Sequence, residues 1–212
     1  MLIKVSDFAS AQGLTLSGKS LAQLDLFAQL VWEKKDFLNL TSVADKAEIY
    51  TRHLCDGLAA AGFFAHQAPK EQDSFSIADM GAGAGYIGLS IAIALPQARV
   101  TLVESLEKRC SFMNWVALKL GLSNTTVQCL RLGQKEVGPF DFVTERAMGQ
   151  INDILPLIAP CISQGGVFAA YQSRPDEADK NILDKLSLTQ VNPVKYRLPQ
   201  EEKERYLAVF KY

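Results

Sequence analysis

The chain has 212 residues, 48% of them hydrophobic and 21% charged, with a formal net charge of −1, which suits one medium-sized globular domain with an extension. A net charge so close to zero argues against a protein that coats nucleic acid indiscriminately, although it is compatible with a local basic patch. No apolar run reaches the roughly 18 residues of a membrane span, and the first residues lack a signal-peptide pattern, so we expect a cytoplasmic protein.

The first 66 residues are predicted to be helical. The segment "SLAQLDLFAQLVWEKKDFL" (20–38) carries apolar residues at helical spacing. Ser20 and Gln23 fit a capping box at its start. A second helix is predicted from Asp45 to near Gly62.

The polar segment "HQAPKEQDS" (66–74) predicts a boundary between a helical extension, 1–66, and a second unit, 67–212. From residue 75, short apolar runs alternate with helix-length segments, which predicts a mostly parallel sheet with helices on both faces. The runs are "FSIADM" (75–80), "RVTLVE" (99–104), "TTVQCL" (125–130), "FDFVTE" (140–145) and "GVFAAY" (166–171). Two further strand-like segments, 190–198 and 204–212, predict a hairpin that finishes the sheet with one antiparallel strand.

The cysteines give no sign of a metal site. Cys55, Cys110, Cys129 and Cys161 lie far apart, and none forms a C-x-x-C pair. This spacing favours buried free thiols over zinc ligation, so we expect no metal.

A glycine-rich loop, "DMGAGAGYIG" (79–88), lies between a predicted strand and a predicted helix. In this setting the backbone of the loop approaches a nucleotide, and glycine avoids a collision with the ligand or permits a positive φ. The loop matches both the G-x-G-x-x-G turn of nicotinamide enzymes and the D-x-G-x-G-x-G turn that holds S-adenosylmethionine. A tight turn that binds no ligand is the plain structural alternative.

Charge separates the two cofactors. Asp79 would repel the pyrophosphate of NAD, whereas its carboxylate can accept a hydrogen bond from the ammonium group of S-adenosylmethionine. Glu104 ends the next predicted strand, where an acid can hold the ribose hydroxyls of either cofactor. These positions favour the methyl donor and leave a nicotinamide oxidoreductase as the alternative.

The order and spacing of several motifs resemble the bacterial 16S ribosomal RNA guanine-N7 methyltransferases, also called glucose-inhibited division protein B. The motifs are "NLTSV" (39–43), "RHLCDG" (52–57), "DMGAGAGYIG" (79–88), "LVESLEKR" (102–109) and "ERA" (145–147). The resemblance implies a Rossmann-like S-adenosylmethionine-dependent methyltransferase fold of seven strands with an N-terminal helical extension. It also implies 16S ribosomal RNA or the small ribosomal subunit as partner and guanine N7 as target, and we expect a monomer.

The resemblance assigns the site residues. Together with Asp79, the residues that it places at the cofactor are Gly81, Gly83, Gly85, Tyr86, Glu104, Leu132, Gly133 and Arg146. Candidates for the methyl-transfer site are Arg146, His53 and Asn39, and candidates for RNA contact are Arg52, Lys108 and Arg109.

Several of these residues also have a plain structural interpretation. Arg146 follows a strand at the edge where ligands bind, which favours a functional role; the plain alternative is a surface arginine or a pair with Glu145. His53 lies beside apolar helix positions, as a structural histidine would. Lys108 and Arg109 can lie on a solvated helix face.

Guanine N7 carries an available lone pair, so positioning is sufficient for catalysis and no base is required. The sequence departs from the family pattern at Ile87, Gly133, Gln172 and Tyr206. These departures suggest a third possibility, a methyltransferase-fold binding module with reduced turnover.

Overall fold

The computed structural model describes residues 1–38, 40, 43–69 and 74–212. The N-terminal part is helical. Its elements are α1 (Leu2–Ala11), α2 (Gly18–Leu38), α3 (Lys46–Glu48), a π-helical segment (Ile49–Leu54) and α4 (Cys55–Gln67).

Strands and helices alternate in the rest of the chain. The strands are β1 (Ser76–Met80), β2 (Arg99–Glu104), β3 (Thr125–Cys129), β4 (Phe140–Glu145), β5 (Ile162–Gln172), β6 (Thr189–Arg197) and β7 (Glu204–Lys211). The helices are α5 (Tyr86–Ala94), α6 (Glu107–Leu120), α7 (Ile151–Ile158), a 3₁₀ turn (Ala159–Cys161) and α8 (Lys180–Leu186).

The strands form one seven-stranded sheet in the order β3-β2-β1-β4-β5-β7-β6. Strands β1 to β5 pair in parallel, and β7 is antiparallel to both of its neighbours, β5 and β6. The predicted single antiparallel strand is confirmed, but it does not finish the sheet. β7 lies inside it, and β6 forms the edge.

Side chains alternate between the two faces of the sheet, as the period of two in a strand requires. Ile77, Leu102 and Phe142 pack in a core shared with α1, α2 and α4 to α6. The neighbouring Ala78, Val103 and Val143 pack in a second core, which includes residues of α7. Helices therefore cover both faces, as predicted.

The predicted start of α2 is wrong by three residues. Ser17, not Ser20, caps the helix, because its Oγ accepts a hydrogen bond from the Ser20 backbone N–H at 3.0 Å. Gln23 instead donates to the Leu120 carbonyl at 2.7 Å and ties α2 to α6.

The second predicted helix begins correctly but ends later. Asp45 accepts a hydrogen bond from the Ala47 N–H at 2.9 Å and caps α3. Gly62 lies inside α4, which continues to Gln67. A Cβ at Gly62 would collide with the backbone of Gln12, so this glycine permits the close approach of α1 and does not end the helix.

The helices before residue 67 share a core with the sheet: Phe27 and Phe64 belong to the same cluster as Leu89. The division into 1–66 and 67–212 stays a prediction.

Among the described residues, no helix is long and apolar enough to cross a membrane. The expected burial of the thiols is right for Cys55, Cys110 and Cys161 and wrong for Cys129, which is exposed.

Candidate functional site

The glycine loop connects β1 to α5 at the carboxyl end of the sheet. Gly81, Gly83 and Gly85 have φ values of +66°, +60° and +79°, which side chains rarely adopt. The prediction that glycines here permit a positive φ is confirmed. A Cβ at Gly81 would also lie 2.8 Å from Met148 Cγ, so a substitution there would displace the Met148 side chain.

A cavity of about 260 Å³, which we call the glycine-loop cavity, opens beside this loop. Predicted site residues that line it are Asp79, Gly81, Gly83, Tyr86, Arg109 and Arg146. Gly85 is not among its walls, because a Cβ at that position would point at Leu89 and Met113. The loop geometry requires Gly85, but the structure gives no support for its predicted contact with a cofactor.

Asp79 is buried at the end of β1, with 1% of its surface exposed. Its Oδ2 accepts a hydrogen bond from the Gly88 N–H at 2.8 Å. Burial raises the pKa of Asp79 from 3.8 to about 7, although the Gly88 bond and the Arg146 charge act in the opposite direction. The charge attraction expected from the sequence requires an ionised Asp79, whereas burial leaves it partly protonated near neutral pH until a cation approaches.

Glu104 connects the end of β2 to the glycine loop. Its Oε2 accepts a hydrogen bond from the Gly83 N–H at 2.9 Å, and its Oε1 accepts from the N–H groups of Ser105 and Leu106 at 2.8 and 2.9 Å. The Ser105 hydroxyl also donates to Oε1, at 3.4 Å, so three donors act on Oε1 and one on Oε2, and Oε2 keeps an acceptor position. Glu104 is therefore held at the loop, although it does not line the glycine-loop cavity, and its contact with ribose hydroxyls stays a prediction.

Arg146 is neither a free surface arginine nor the partner of Glu145. Its Nη1 donates to Asp56 Oδ2 at 2.9 Å, and its guanidinium carbon lies 5.7 Å from the centre of the Tyr86 ring. Glu145 turns inward and accepts a hydrogen bond from the Met148 N–H at 3.0 Å. Burial raises the pKa of Glu145 to about 7.

Asp56 organises a second part of the site that the sequence interpretation did not identify. Its Oδ1 accepts a hydrogen bond from the Tyr196 hydroxyl at 2.7 Å, and its Oδ2 accepts from Arg205 at 3.3 Å as well as from Arg146. Its backbone carbonyl accepts from the Tyr171 hydroxyl at 2.6 Å. The only sequence signal for Asp56 was its place in "RHLCDG", one helical turn after Arg52 and His53.

A cavity of about 280 Å³, the Asp56 cavity, lies beside this cluster. Arg146 and Ala147 line both this cavity and the glycine-loop cavity. The two cavities therefore share a wall at the carboxyl end of β4.

His53 stacks on Tyr86, with 4.1 Å between ring centres. Burial, with the nearby charges of Arg146, Arg205 and Arg52, lowers the pKa of His53 to about 3. The imidazole is neutral at physiological pH, which supports the structural interpretation and argues against an acid–base role.

The predicted RNA-binding residues differ in their environment. Arg52 is exposed and donates to Glu48 at 2.6 Å and to Glu201 at 2.7 Å, and its contact with RNA stays a prediction. Lys108 is exposed at the start of α6. Arg109 lies at the glycine-loop cavity, 3.8 Å from Glu104 Oε2.

Leu132 and Gly133 do not join the other candidate residues. They line a separate groove of about 550 Å³ together with Pro156 and Leu157 of α7. Their predicted place at the cofactor is therefore not supported by the shape of the glycine-loop cavity. Asn39 lies outside the described residues.

Comparison with known proteins matches residues 20–208 to the family model GidB, described as rRNA small subunit methyltransferase G. Proteins named ribosomal RNA small subunit methyltransferase G from Bacillus thuringiensis (strain Al Hakam) and Bacillus cereus (strain AH820) are each 32% identical over 207 residues. These alignments cover 93% of this chain and 84% of each relative.

Solved structures share the fold at low identity. Magnesium protoporphyrin IX methyltransferase from Synechocystis, solved with bound S-adenosylmethionine, covers 93% of this chain and 98% of its own length, with a TM-score of 0.62 and 12% identity. A SAM-dependent methyltransferase from Aquifex aeolicus covers 71% of this chain and 88% of its own length, with a TM-score of 0.54 and 14% identity. The predicted methyltransferase fold is confirmed.

Proposed function

This chain belongs to the GidB family, rRNA small subunit methyltransferase G, and on that premise we propose that it methylates N7 of a guanine in 16S ribosomal RNA with S-adenosylmethionine as donor. The family, the enzyme class and the cofactor predicted from the motifs are confirmed by this match. The nicotinamide alternative is wrong. The observation that carries the residue assignments below is the glycine-loop cavity, where Asp79 and Arg146 converge.

The residues around this cavity fit S-adenosylmethionine. A buried carboxylate, Asp79, meets the need of a ligand with a cationic ammonium group, and a second one, Glu104, is held at the loop by the Gly83 N–H. Gly81 and Gly83 add no side chain to the wall of the cavity. We assign Asp79 to the ammonium, Glu104 to the ribose hydroxyls and the two glycines to close backbone contact.

When bound, S-adenosylmethionine supplies an electrophilic methyl group on a sulfonium. Guanine N7 needs no deprotonation before it attacks, so the protein acts by holding the acceptor in line. The neutral His53 packs against Tyr86 and helps fix the wall of the cavity. Arg146 stands between the two cavities, where it can orient the nucleotide once the donor is bound.

The surroundings of the site support further assignments. Arg109 and the exposed Lys108 lie on α6 beside the cavity and are assigned to RNA contact. Residues 1–66 are assigned as an extension that supplies His53 and Asp56 to the site. One chain carries both cavities, so we propose that the protein acts as a monomer. We also propose that it needs no metal and acts in the cytoplasm, where ribosomal RNA is found.

The test is methylation by the purified protein. Small ribosomal subunits from cells that lack the gene are incubated with donor labelled in the methyl group, and the RNA is digested to nucleosides. We expect label in 7-methylguanosine of 16S ribosomal RNA. Tight donor binding without label transfer would instead support the binding-module alternative, and label in another nucleoside would overturn the N7 assignment.

A further inference from the structure

The Asp56 cavity has an excess of positive charge. Among the described residues, the cationic side chains on its wall are Arg146, Lys203 and Arg205, and the one carboxylate there is Asp56. Asp56 has 1% of its surface exposed and is already shared by both arginines and Tyr196. An entering ligand therefore meets cations, and it meets a carboxylate whose hydrogen-bond acceptor positions are largely occupied.

The guanidinium groups are fixed in place. Arg146 and Arg205 both donate to Asp56 Oδ2, so the two like charges are held side by side. Arg205 is held from its other side by Glu201, with hydrogen bonds of 3.1 to 3.3 Å. Pre-oriented guanidinium groups favour an anion with several acceptor oxygens, such as a phosphate.

The position of the cavity indicates which molecule carries that anion. In-line transfer requires the acceptor within about 3–3.5 Å of the methyl group, so the target nucleotide must occupy space that adjoins the donor. The Asp56 cavity shares Arg146 and Ala147 with the glycine-loop cavity. A hydrogen bond from an arginine or lysine to guanine N7 would occupy the lone pair that attacks the methyl group. These cations therefore suit the phosphate of the nucleotide and not its N7.

We propose that the Asp56 cavity binds a backbone phosphodiester of the ribosomal RNA at the target nucleotide, with Arg146 and Arg205 as fixed ligands and Lys203 as a mobile one. This site rests on the proposed function, since it takes the acceptor RNA of the same reaction. Asp56 is then a positioning residue: it touches the arginines and not the RNA.

The experiment changes the charge of the wall at two positions that do not support the core. Lys203 is exposed, and the half-buried Gln172 lies at the end of β5 on the same cavity. Lys203→Gln removes a cation, Gln172→Glu adds an anion, and Gln172→Lys adds a cation. Lys185→Gln removes an exposed lysine on α8, away from the cavity, and is the matched control.

Binding of a fluorescent fragment of small-subunit ribosomal RNA is measured at several salt concentrations. Lys203→Gln should weaken binding by about fivefold and lower the slope of log K against log salt by about 1. Gln172→Glu should weaken binding further, Gln172→Lys should strengthen it, and the control should match the native protein. Donor affinity, measured by calorimetry, should stay native in all four variants.

Unchanged RNA affinity and salt slope in Lys203→Gln and both Gln172 variants would overturn the proposal. So would a loss of donor affinity without a loss of RNA affinity, because the cavity would then serve the donor's carboxylate. Binding is measured without turnover, so the site can fail while methylation at N7 is confirmed. Charge-dependent binding with methylation at another atom would support the site and overturn only the N7 assignment.

Discussion

Donor binding should release a proton from Asp79. Burial raises the pKa of this carboxyl from 3.8 to about 7, so about half of the molecules carry the proton at pH 7. An ammonium group placed beside Asp79 favours the ionised form and lowers its pKa. The affinity for the donor should therefore rise with pH in the range where free Asp79 still holds its proton.

The size of the effect follows from linkage. With a free pKa of about 7 and a bound pKa below about 5, the dissociation constant should fall about eightfold between pH 6 and pH 7.5. The range ends there because an α-amino group loses its own proton near a pH of about 8. His53, whose pKa is lowered to about 3, contributes nothing in this range. Glu145, whose pKa burial raises to about 7, also titrates in it, so the part due to Asp79 is the difference between the native protein and Asp79→Asn.

Calorimetry in buffers of different ionisation enthalpy counts the protons released. The native protein should release about half a proton from Asp79 at pH 7. Asp79→Asn keeps an acceptor for the Gly88 N–H but removes the titrating group, so this release should vanish and affinity at pH 7.5 should fall about tenfold. Asp153→Asn, an exposed change on α7, should behave as native.

The pH dependence of the free energy of unfolding independently checks the direction of the Asp79 pKa shift. The folded-state pKa of Asp79 lies above its ordinary value, so the folded protein retains a proton that the unfolded chain has lost. This contribution to the free energy of unfolding is largest at low pH and is lost as the pH rises from about 4 to about 7. Asp79→Asn should remove the part of that dependence that comes from Asp79, while the part from Glu145, whose pKa burial also raises to about 7, should remain. Equal proton release by the native protein and the variant, with affinity independent of pH, would refute the reasoning.

Three further substitutions test the other parts of the site. Glu104→Gln should weaken binding of the donor and of its demethylated product by a similar factor, about tenfold by calorimetry, because both carry the same ribose; a loss of RNA binding alone would contradict the assignment. Arg146→Ala should lower the free energy of unfolding in urea by about 1–3 kcal/mol, since the buried Asp56 loses one of its donors, and should lower methylation at least about tenfold; native stability would show that the pair is unimportant. Gly81→Ala should weaken donor binding, whereas Gly13→Ala, with a similar positive φ but open space around its Cβ, should lower stability by only about 1 kcal/mol and leave donor binding unchanged. Equal effects on donor affinity would show that the contact of Gly81 with Met148 is irrelevant.

The parts of the site that the sequence predicts correctly are local in the chain. The glycine loop and the acid at the end of β2 are recognisable because a strand, a turn and a helix follow each other directly. Strands β2 and β4 begin and end where their apolar runs do. These features depend on neighbours within a few residues, where periodicity and turn chemistry decide the structure.

The parts that the sequence does not predict depend on distant contacts. Asp56 and Arg205 are 149 residues apart in the chain, and nothing local shows that they meet. The pairing of Arg52 with Glu201 is equally distant, and the sequence gives no sign of it. The raised pKa of Asp79 requires its burial by the assembled sheet and helices, which a motif alone does not describe.

The measurement that tests the central claim most directly is the mapping of 7-methylguanosine in ribosomal RNA from cells with and without this gene. N7-methylated guanine is located by chemical cleavage of the RNA at that nucleotide. We predict one position in 16S ribosomal RNA that is cleaved in native cells, not cleaved in cells without the gene, and cleaved again when the native protein is restored. An identical cleavage pattern with and without the gene would contradict the account.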